Sequence, residues 1–113
     1  MSTTGNSDRI RELNDRFRSN FDLSLGSIML TAGVNGLAAP QKMAVLSAVR
    51  KFSTFDADKD PNGEHDFGSF EHEGDRFFWK IDYYDRQLEF GSDDPSDPTK
   101  TKRVLTIMFA HEY

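Results

Sequence analysis

Residues 76–84 constrain the fold most, because their aromatic and aliphatic side chains recur at every second position. A β-strand points successive side chains to opposite faces, so this period predicts a strand with two unlike faces. The more apolar face is predicted to be buried, with Trp79 inside the core, and the alternative orientation puts Phe78 inside and Trp79 outside. The apolar face carries Phe77, Trp79, Ile81 and Tyr83, and the other carries Phe78, Lys80, Asp82 and Tyr84.

Two amphipathic helices and several further strands are predicted around this strand. Helical spacing of apolar residues predicts a helix that starts after a cap at Ser7 or Asp8, and a second helix over residues 40–52 with Pro40 in its first turn. Strands are predicted at 27–34, 67–73, 76–84 and 104–110, with 87–90 as an optional fifth. The strand at 67–73 is expected to be irregular at Gly68, since Phe67 and Phe70 would otherwise face opposite sides.

These elements predict a single α+β domain. Two helices pack on a mainly antiparallel four- to five-stranded sheet, in the order α-β-α-β-β-(β)-β. The domain is predicted to cover residues 8–113 and to follow a flexible tail at 1–7. The four arginines of the first helix, which are expected to lie mostly on its solvated sides, are Arg9, Arg11, Arg16 and Arg18.

Composition excludes several classes of site and partner. The chain has no cysteine, which excludes disulfides and thiolate zinc sites. A net charge of −5 argues against a nucleic-acid partner, since that binding depends on neutralising phosphates. No apolar run is long enough for a membrane helix and no signal peptide is visible, so a cytoplasmic location is expected.

The segment DKDPNG, residues 58–63, is similar to the first half of an EF-hand calcium loop. Oxygen ligands stand at alternate positions and a glycine follows them. The second half of the loop is missing, because Pro61 occupies an interior position and Ser69 stands where the bidentate glutamate is required. A standard EF-hand is therefore excluded.

Two interpretations of this loop remain. The first is a turn whose exposed aspartates cap their own backbone. The second is a low-affinity site for calcium or another divalent cation. Its candidate ligands are Asp58, Asp60, Asn62 and Glu64.

Histidines and further carboxylates follow the loop, and they raise the possibility of a nitrogen–oxygen metal site over residues 58–72. Extended geometry points His65 away from its acidic neighbours, so a hydrogen-bonded turn residue is the favoured interpretation of His65. The chain contains no nucleophile motif and no phosphate-binding loop, which favours a protein that is not an enzyme.

The second face of the central strand is the candidate surface for a protein partner. An exposed phenylalanine and tyrosine beside opposite charges are typical of an interface anchor with a polar rim. The two-proline polar loop at residues 91–102 is expected to contribute acidic residues to this surface. The candidate partner-binding residues are Phe78, Lys80, Asp82, Tyr84, Asp93, Asp94 and Asp97.

Four segments carry a resemblance to a known family: GEHDFGSF (63–70), FFWKIDYYD (77–85), GSDDPSDP (91–98) and RVLTIMFAHEY (103–113). Together with RIRELND and MLTAGV near the start, they resemble a bacterial family known as domain of unknown function 3768. The resemblance implies a setting on plasmids and other mobile elements. It supplies no catalytic residues.

Two functions are therefore expected from the sequence. The first is a small non-enzymatic interaction protein of a plasmid or phage, without a cofactor, that modulates or inhibits a host defence or replication complex. The alternative is a divalent-metal-binding module, or a metal-assisted enzyme, built on residues 58–72.

Overall fold

The computed structural model describes residues 3–113, with side chains described from residue 6 onward. Within this range, no helix combines the length and the apolar composition needed to cross a membrane. The elements are α1 (Thr3–Asn20), β1 (Gly26–Leu30), α2 (Ala32–Asn35), α3 (Ala39–Lys51), β2 (Phe67–His72), β3 (Asp75–Tyr84), β4 (Lys102–Phe109) and a 3₁₀ helix (Ala110–Glu112).

The strands form one four-stranded mixed sheet in the order β1-β4-β3-β2. The central strand β3 is antiparallel to both β2 and β4, whereas the edge strand β1 is parallel to β4. A parallel pair needs a crossover connection, and here the chain between β1 and β4 supplies α2, α3 and the β2–β3 hairpin. The predicted α+β class is confirmed, with one parallel pair in the sheet.

Two predicted strand segments are wrong. The strand predicted at 27–34 ends at Leu30, and one turn of helix, α2, follows and places Val34 in the core. The optional strand at 87–90 is a turn, because the carboxylate of Asp85 accepts the backbone N–H groups of Gln87, Glu89 and Phe90. Local capping by one side chain here replaces the pairing that a strand would need.

Helix α1 begins at Thr3, so residues 3–7 of the predicted tail are helical, and residues 1 and 2 lie outside the described part of the chain. Its apolar residues Leu13 and Phe17 are buried as predicted. The prediction that Arg18 is solvated is wrong. Arg18 donates to the backbone oxygen of Val49 at 2.8 Å, and its guanidinium lies 4.9 Å from the Trp79 ring centroid.

The core lies between the sheet and the helices α1 and α3. Trp79 is completely buried, whereas Phe78, its neighbour in the strand, is half-buried on the other side of the sheet. The predicted orientation of the central strand is therefore confirmed. Trp79 shares the core cluster with Leu13, Phe17, Val45, Val49, Ile81, Leu105 and Ile107.

Strand β2 is regular, and the predicted irregularity at Gly68 is wrong. Each residue of β2 pairs with one residue of β3, and Gly68 lies opposite Trp79. A Cβ atom at position 68 would overlap the Trp79 indole. The glycine therefore provides room for the tryptophan, and Phe67 and Phe70 do face opposite sides of the sheet.

We expect Gly68→Ala to lower the free energy of unfolding by about 1–3 kcal/mol, the usual effect of an added methyl group in a filled core. Gly91→Ala is the matched control, because the nearest atom to its Cβ would be 3.9 Å away. Urea unfolding followed by the fluorescence of the single tryptophan measures both variants. Equal stability of the two variants would contradict the close packing of Gly68 and Trp79.

Candidate functional site

The sheet has one face that α1 and α3 do not cover, called the outer face below. Strand pairing brings Met29, Thr106, Lys80 and Phe67 into one row across the four strands. The other outer-face residues follow from the alternation along each strand. They are Ser27, Ser69, Glu71, Arg76, Phe78, Asp82, Tyr84, Lys102, Val104 and Met108.

One ion pair lies in the middle of this face, and a second, between Arg76 and Glu71, lies at its border. The Lys80 ammonium donates to the Asp82 carboxylate at 2.7 Å, with the two side chains 38% and 37% exposed. This hydrogen bond raises the pKa of Lys80 above its ordinary value. The pair is too exposed to stabilise the fold strongly. Its effect is to make the centre of the face neutral overall while leaving one charge of each sign accessible.

Two shallow hollows meet at this centre. One holds about 340 Å³ and is lined by Met29, Tyr84, Leu88 and Val104, and the other holds about 350 Å³ beside Met108 and Tyr113. Both hollows are also lined by Lys80 and Thr106. The outer face is therefore one continuous concave surface in which apolar side chains surround the ion pair.

An aromatic cluster borders one end of the outer face. The Phe78 ring lies 5.3 Å from the Phe67 ring and 5.6 Å from the Tyr113 ring, measured between centroids. Tyr113 itself is largely exposed. Of the predicted partner-binding residues, Phe78, Lys80, Asp82 and Tyr84 are thus brought together on one surface.

Three residues that line the hollows, Met29, Leu88 and Tyr113, could not be assigned to the outer face from the sequence. Met29 lies in an uninterrupted apolar run, so the sequence gives no sign of which of its neighbours faces outward. Leu88 and Tyr113 reach the face from a turn and from the residue after the 3₁₀ helix. Their positions depend on tertiary contacts, which the spacing of apolar residues in the sequence does not predict.

Glu112 holds the segment that carries Tyr113 against the body of the protein. Its carboxylate accepts the hydroxyl of Thr31 at 2.6 Å and the backbone N–H groups of Gly33 and Phe109, each at 2.9 Å. These donors hold the pKa of Glu112 below its ordinary value, with the Thr31 hydroxyl as the largest cause. The clamp fixes one border of the outer face.

In the acidic loop predicted to join this surface, two of the aspartates accept hydrogen bonds from residues of the loop itself. Asp94 accepts the N–H and hydroxyl of Ser96, and Asp97 accepts those of Thr99. The hydroxyl of Thr99, followed by its backbone N–H, holds the pKa of Asp97 below its ordinary value. Asp93 is exposed.

The same loop is fastened to a buried side chain. Arg103 donates to the Pro95 carbonyl at 2.6 Å, and Arg103 pairs with Tyr83 on the helix-covered side of the sheet. The structure therefore ties the loop to the side of the sheet opposite the outer face.

The calcium-like loop forms a capped turn. Asp60 accepts the backbone N–H groups of Glu64 and His65 at 3.0 and 3.1 Å. The prediction that both aspartates are exposed holds for Asp58 but is wrong for Asp60, which is only 7% exposed. The carboxylate is buried because the chain folds back over it and supplies these two backbone donors.

The other two proposed metal ligands differ in their surroundings. Asn62 is exposed, whereas the Glu64 carboxylate accepts the hydroxyl of Tyr83 at 2.9 Å. Across residues 3–113, no three histidine or acidic side chains are grouped so that they could hold a metal ion.

His65 is the hydrogen-bonded turn residue that was predicted. Its Nδ1 lies 2.8 Å from a carboxylate oxygen of Asp15, and its ring stacks on Phe55 at a centroid distance of 3.7 Å. Its φ of 55° is in the left-handed region, which suits a turn. These contacts join the loop to helix α1.

A buried polar cluster near this loop was not predicted. Asn14 of α1 donates to the Glu64 carbonyl and the Tyr83 hydroxyl, and it accepts from Arg103 at 2.6 Å. Burial raises the pKa of Tyr83 and lowers that of Arg103. Asn14 falls on the apolar side of α1, and the sequence pattern of the helix does not separate it from the exposed polar residues.

We expect Asp60→Ala to cost about 1–3 kcal/mol of stability, because it leaves two part-buried N–H groups without their acceptor. Asp58→Ala, at the exposed position of the same turn, is the matched control and should change stability little. Thermal unfolding with chelator and then with calcium measures both effects. A melting temperature that rises with calcium in the wild type and not in Asp58→Ala would favour the metal-site interpretation instead.

We expect the contribution of Glu112 to stability to depend on pH. Its pKa is lower in the folded chain than the ordinary value of 4.5, so the carboxylate stabilises the fold above that pH. This stabilisation is lost as the pH falls through the lowered pKa. The melting temperature of Glu112→Gln should be below that of the wild type at neutral pH, with the difference shrinking in acid.

Glu89→Gln, at an exposed position in a turn, controls for the loss of one negative charge. A difference between wild type and Glu112→Gln that is constant from neutral to acid pH would show that the clamp does not act through the ionised carboxylate.

Comparison with known proteins assigns the chain to a family. No curated protein and no solved structure matches it. One family profile, DUF3768, described as a protein of unknown function, matches residues 30–112 and therefore includes α3, all of β2, β3 and β4, and most of the outer face. The resemblance seen in the sequence is confirmed, and the chain belongs to the DUF3768 family.

Proposed function

We propose that this protein is a non-enzymatic binding protein that docks another polypeptide chain on its outer face. The observation that carries the proposal is the unequal covering of the sheet. Helices α1 and α3 pack on one side, while the other side presents Met29, Leu88 and Phe78 beside the Lys80–Asp82 ion pair. Concave apolar surfaces with a polar rim are typical of protein–protein contacts.

The composition of the face supports a protein partner in particular. Aromatic residues and methionine are enriched in interfaces, and Phe78, Tyr84, Tyr113 and Met29 supply them here. Tyrosines also offer a hydroxyl at the rim while their rings provide apolar contact area. Both hollows are open and shallow, which suits the side chains of a folded partner better than a small ligand, whose sites are deeper and more enclosed.

The polar residues of the loops favour binding over catalysis. The carboxylates of Asp60, Asp94 and Asp97 accept backbone N–H groups of their own turns, and Glu112 clamps the 3₁₀ helix. The mobile-element setting implied by the family resemblance suggests a host defence or replication complex as the target. This target class stays a prediction.

Site-specific photo-crosslinking in living cells tests the docking surface. A benzophenone amino acid replaces Met29 on the outer face or, as the matched control, Met43 on α3, with the wild-type side chains 56% and 69% exposed. We expect a discrete crosslinked species from position 29 and none of the same mass from position 43. Lys80→Glu in the position-29 protein should remove that species.

No crosslink from position 29, or the same products from both positions, would contradict the proposal. Circular dichroism and the emission of the buried Trp79 verify that each variant is folded.

A further inference from the structure

We propose that the chain docked on the outer face is a second copy of this protein, so that two sheets pack face to face around a two-fold axis. This inference rests on the proposed docking function and names its partner. A two-fold interface brings the same patch of each copy into contact, so the patch must be complementary to itself. The Lys80–Asp82 pair gives the outer face this property.

The geometry of β3 fixes how the charges would meet. Lys80 and Asp82 are two residues apart on the same face of one strand, with Ile81 between them pointing into the core. A two-fold axis that crosses the strand at the level of Ile81 reverses the strand direction in the second copy. Lys80 then faces Asp82 of the second copy, and Asp82 faces its Lys80, so four charges alternate in sign.

The same axis also pairs other outer-face residues of β3 and β4. On β3 it places Phe78 opposite Tyr84 of the second copy, and the reverse, giving two aromatic contacts. On β4 it places Val104 opposite Thr106, since these residues pair with Asp82 and Lys80 respectively. It places Lys102 opposite Met108, so the stem of the lysine contacts the methionine. Aligned sheets pack at about 30° and about 10 Å apart, which keeps pairs near the axis within reach.

The size of the face suits a weak, concentration-dependent dimer. Strands of 5, 6, 10 and 8 residues, spaced about 4.8 Å apart, give a footprint of roughly 460 Å² per copy. Leu88 and Tyr113, which border the face, add to this area. The strands of two such faces contribute roughly 900 Å², which is the range of transient rather than permanent interfaces.

Charge favours this face over the rest of the surface. Each copy carries a net charge of −5, so two copies repel each other on average. At the centre of the outer face Lys80 and Asp82 cancel, and the surrounding Met29, Val104 and Thr106 are uncharged. The Arg76 and Glu71 charges at the border cancel as well. A partner whose charges are all of one sign is repelled by one member of the ion pair as much as it is attracted by the other. An identical face instead places a carboxylate against each lysine and a lysine against each carboxylate.

A charge-swap series measured by sedimentation velocity over a dilution series tests the inference. We expect the wild type to dimerise. Lys80→Glu puts four carboxylates at the axis and Asp82→Lys puts four ammonium groups there, so each should weaken association at least about tenfold. The double variant Lys80→Glu/Asp82→Lys restores the alternation and should return the dimer.

Arg9→Glu is the matched control, because it changes the net charge as Lys80→Glu does but lies in an exposed ion pair on α1. It should dimerise like the wild type. The Lys80 and Asp82 variants should stay folded, since an ion pair this exposed contributes little stability. Trp79 emission verifies this.

A wild type that is monomeric at every concentration overturns the proposal that the partner is a second copy. Single variants that dimerise as tightly as the wild type overturn it too. So does a double variant that dimerises no more tightly than the single variants. The crosslink from position 29 distinguishes failure of the dimer proposal from failure of the proposed docking function. A product of twice the chain's 12.9 kDa supports the dimer. A product containing a different polypeptide keeps the docking surface and overturns the dimer, and no product overturns both.

Discussion

The packing of Trp79 sets the orientation of the whole sheet. Its indole fits against Gly68 of the neighbouring strand, beneath the guanidinium of Arg18 and beside the ring of Phe52, 5.5 Å away between centroids. Because the residues of a strand alternate, burying Trp79 forces Phe78 and Lys80 to the opposite side. The outer face, with its ion pair and aromatic border, is thus a geometric consequence of where the tryptophan is buried.

Buried polar groups determine how the loops attach to this core. Arg18 and Arg103 are both buried, and desolvation lowers the pKa of each. Hydrogen bonds from Arg103 to Asn14 and to the Pro95 carbonyl offset part of that cost and join helix α1 to the loop before β4. Asn14 also reaches Tyr83. Such a network stabilises one arrangement of loops rather than adding much net stability.

Features set by local periodicity could be predicted from the sequence, whereas features that need a distant partner could not. The alternation of β3 gave the correct burial of Trp79 and the correct outer-face set from Phe78 to Tyr84, because a strand needs only its own pleat to separate two faces. The burial of Arg18 depends on Val49 and Trp79, far away in the chain. The burial of Asp60 depends on how the turn folds back, and the role of Gly68 depends on its cross-strand neighbour.

The ion pair in the centre of the outer face makes that surface selective. An entirely apolar face would associate with any apolar surface, since burial of apolar area carries no directional requirement. Covering Lys80 and Asp82 with apolar groups alone removes water from both charges without replacing its hydrogen bonds, which is costly. A partner that sets a carboxylate against Lys80 and a cation against Asp82 avoids that cost while still burying Met29 and Phe78. The apolar residues therefore supply affinity, and the ion pair restricts it to surfaces with the matching pattern of charges.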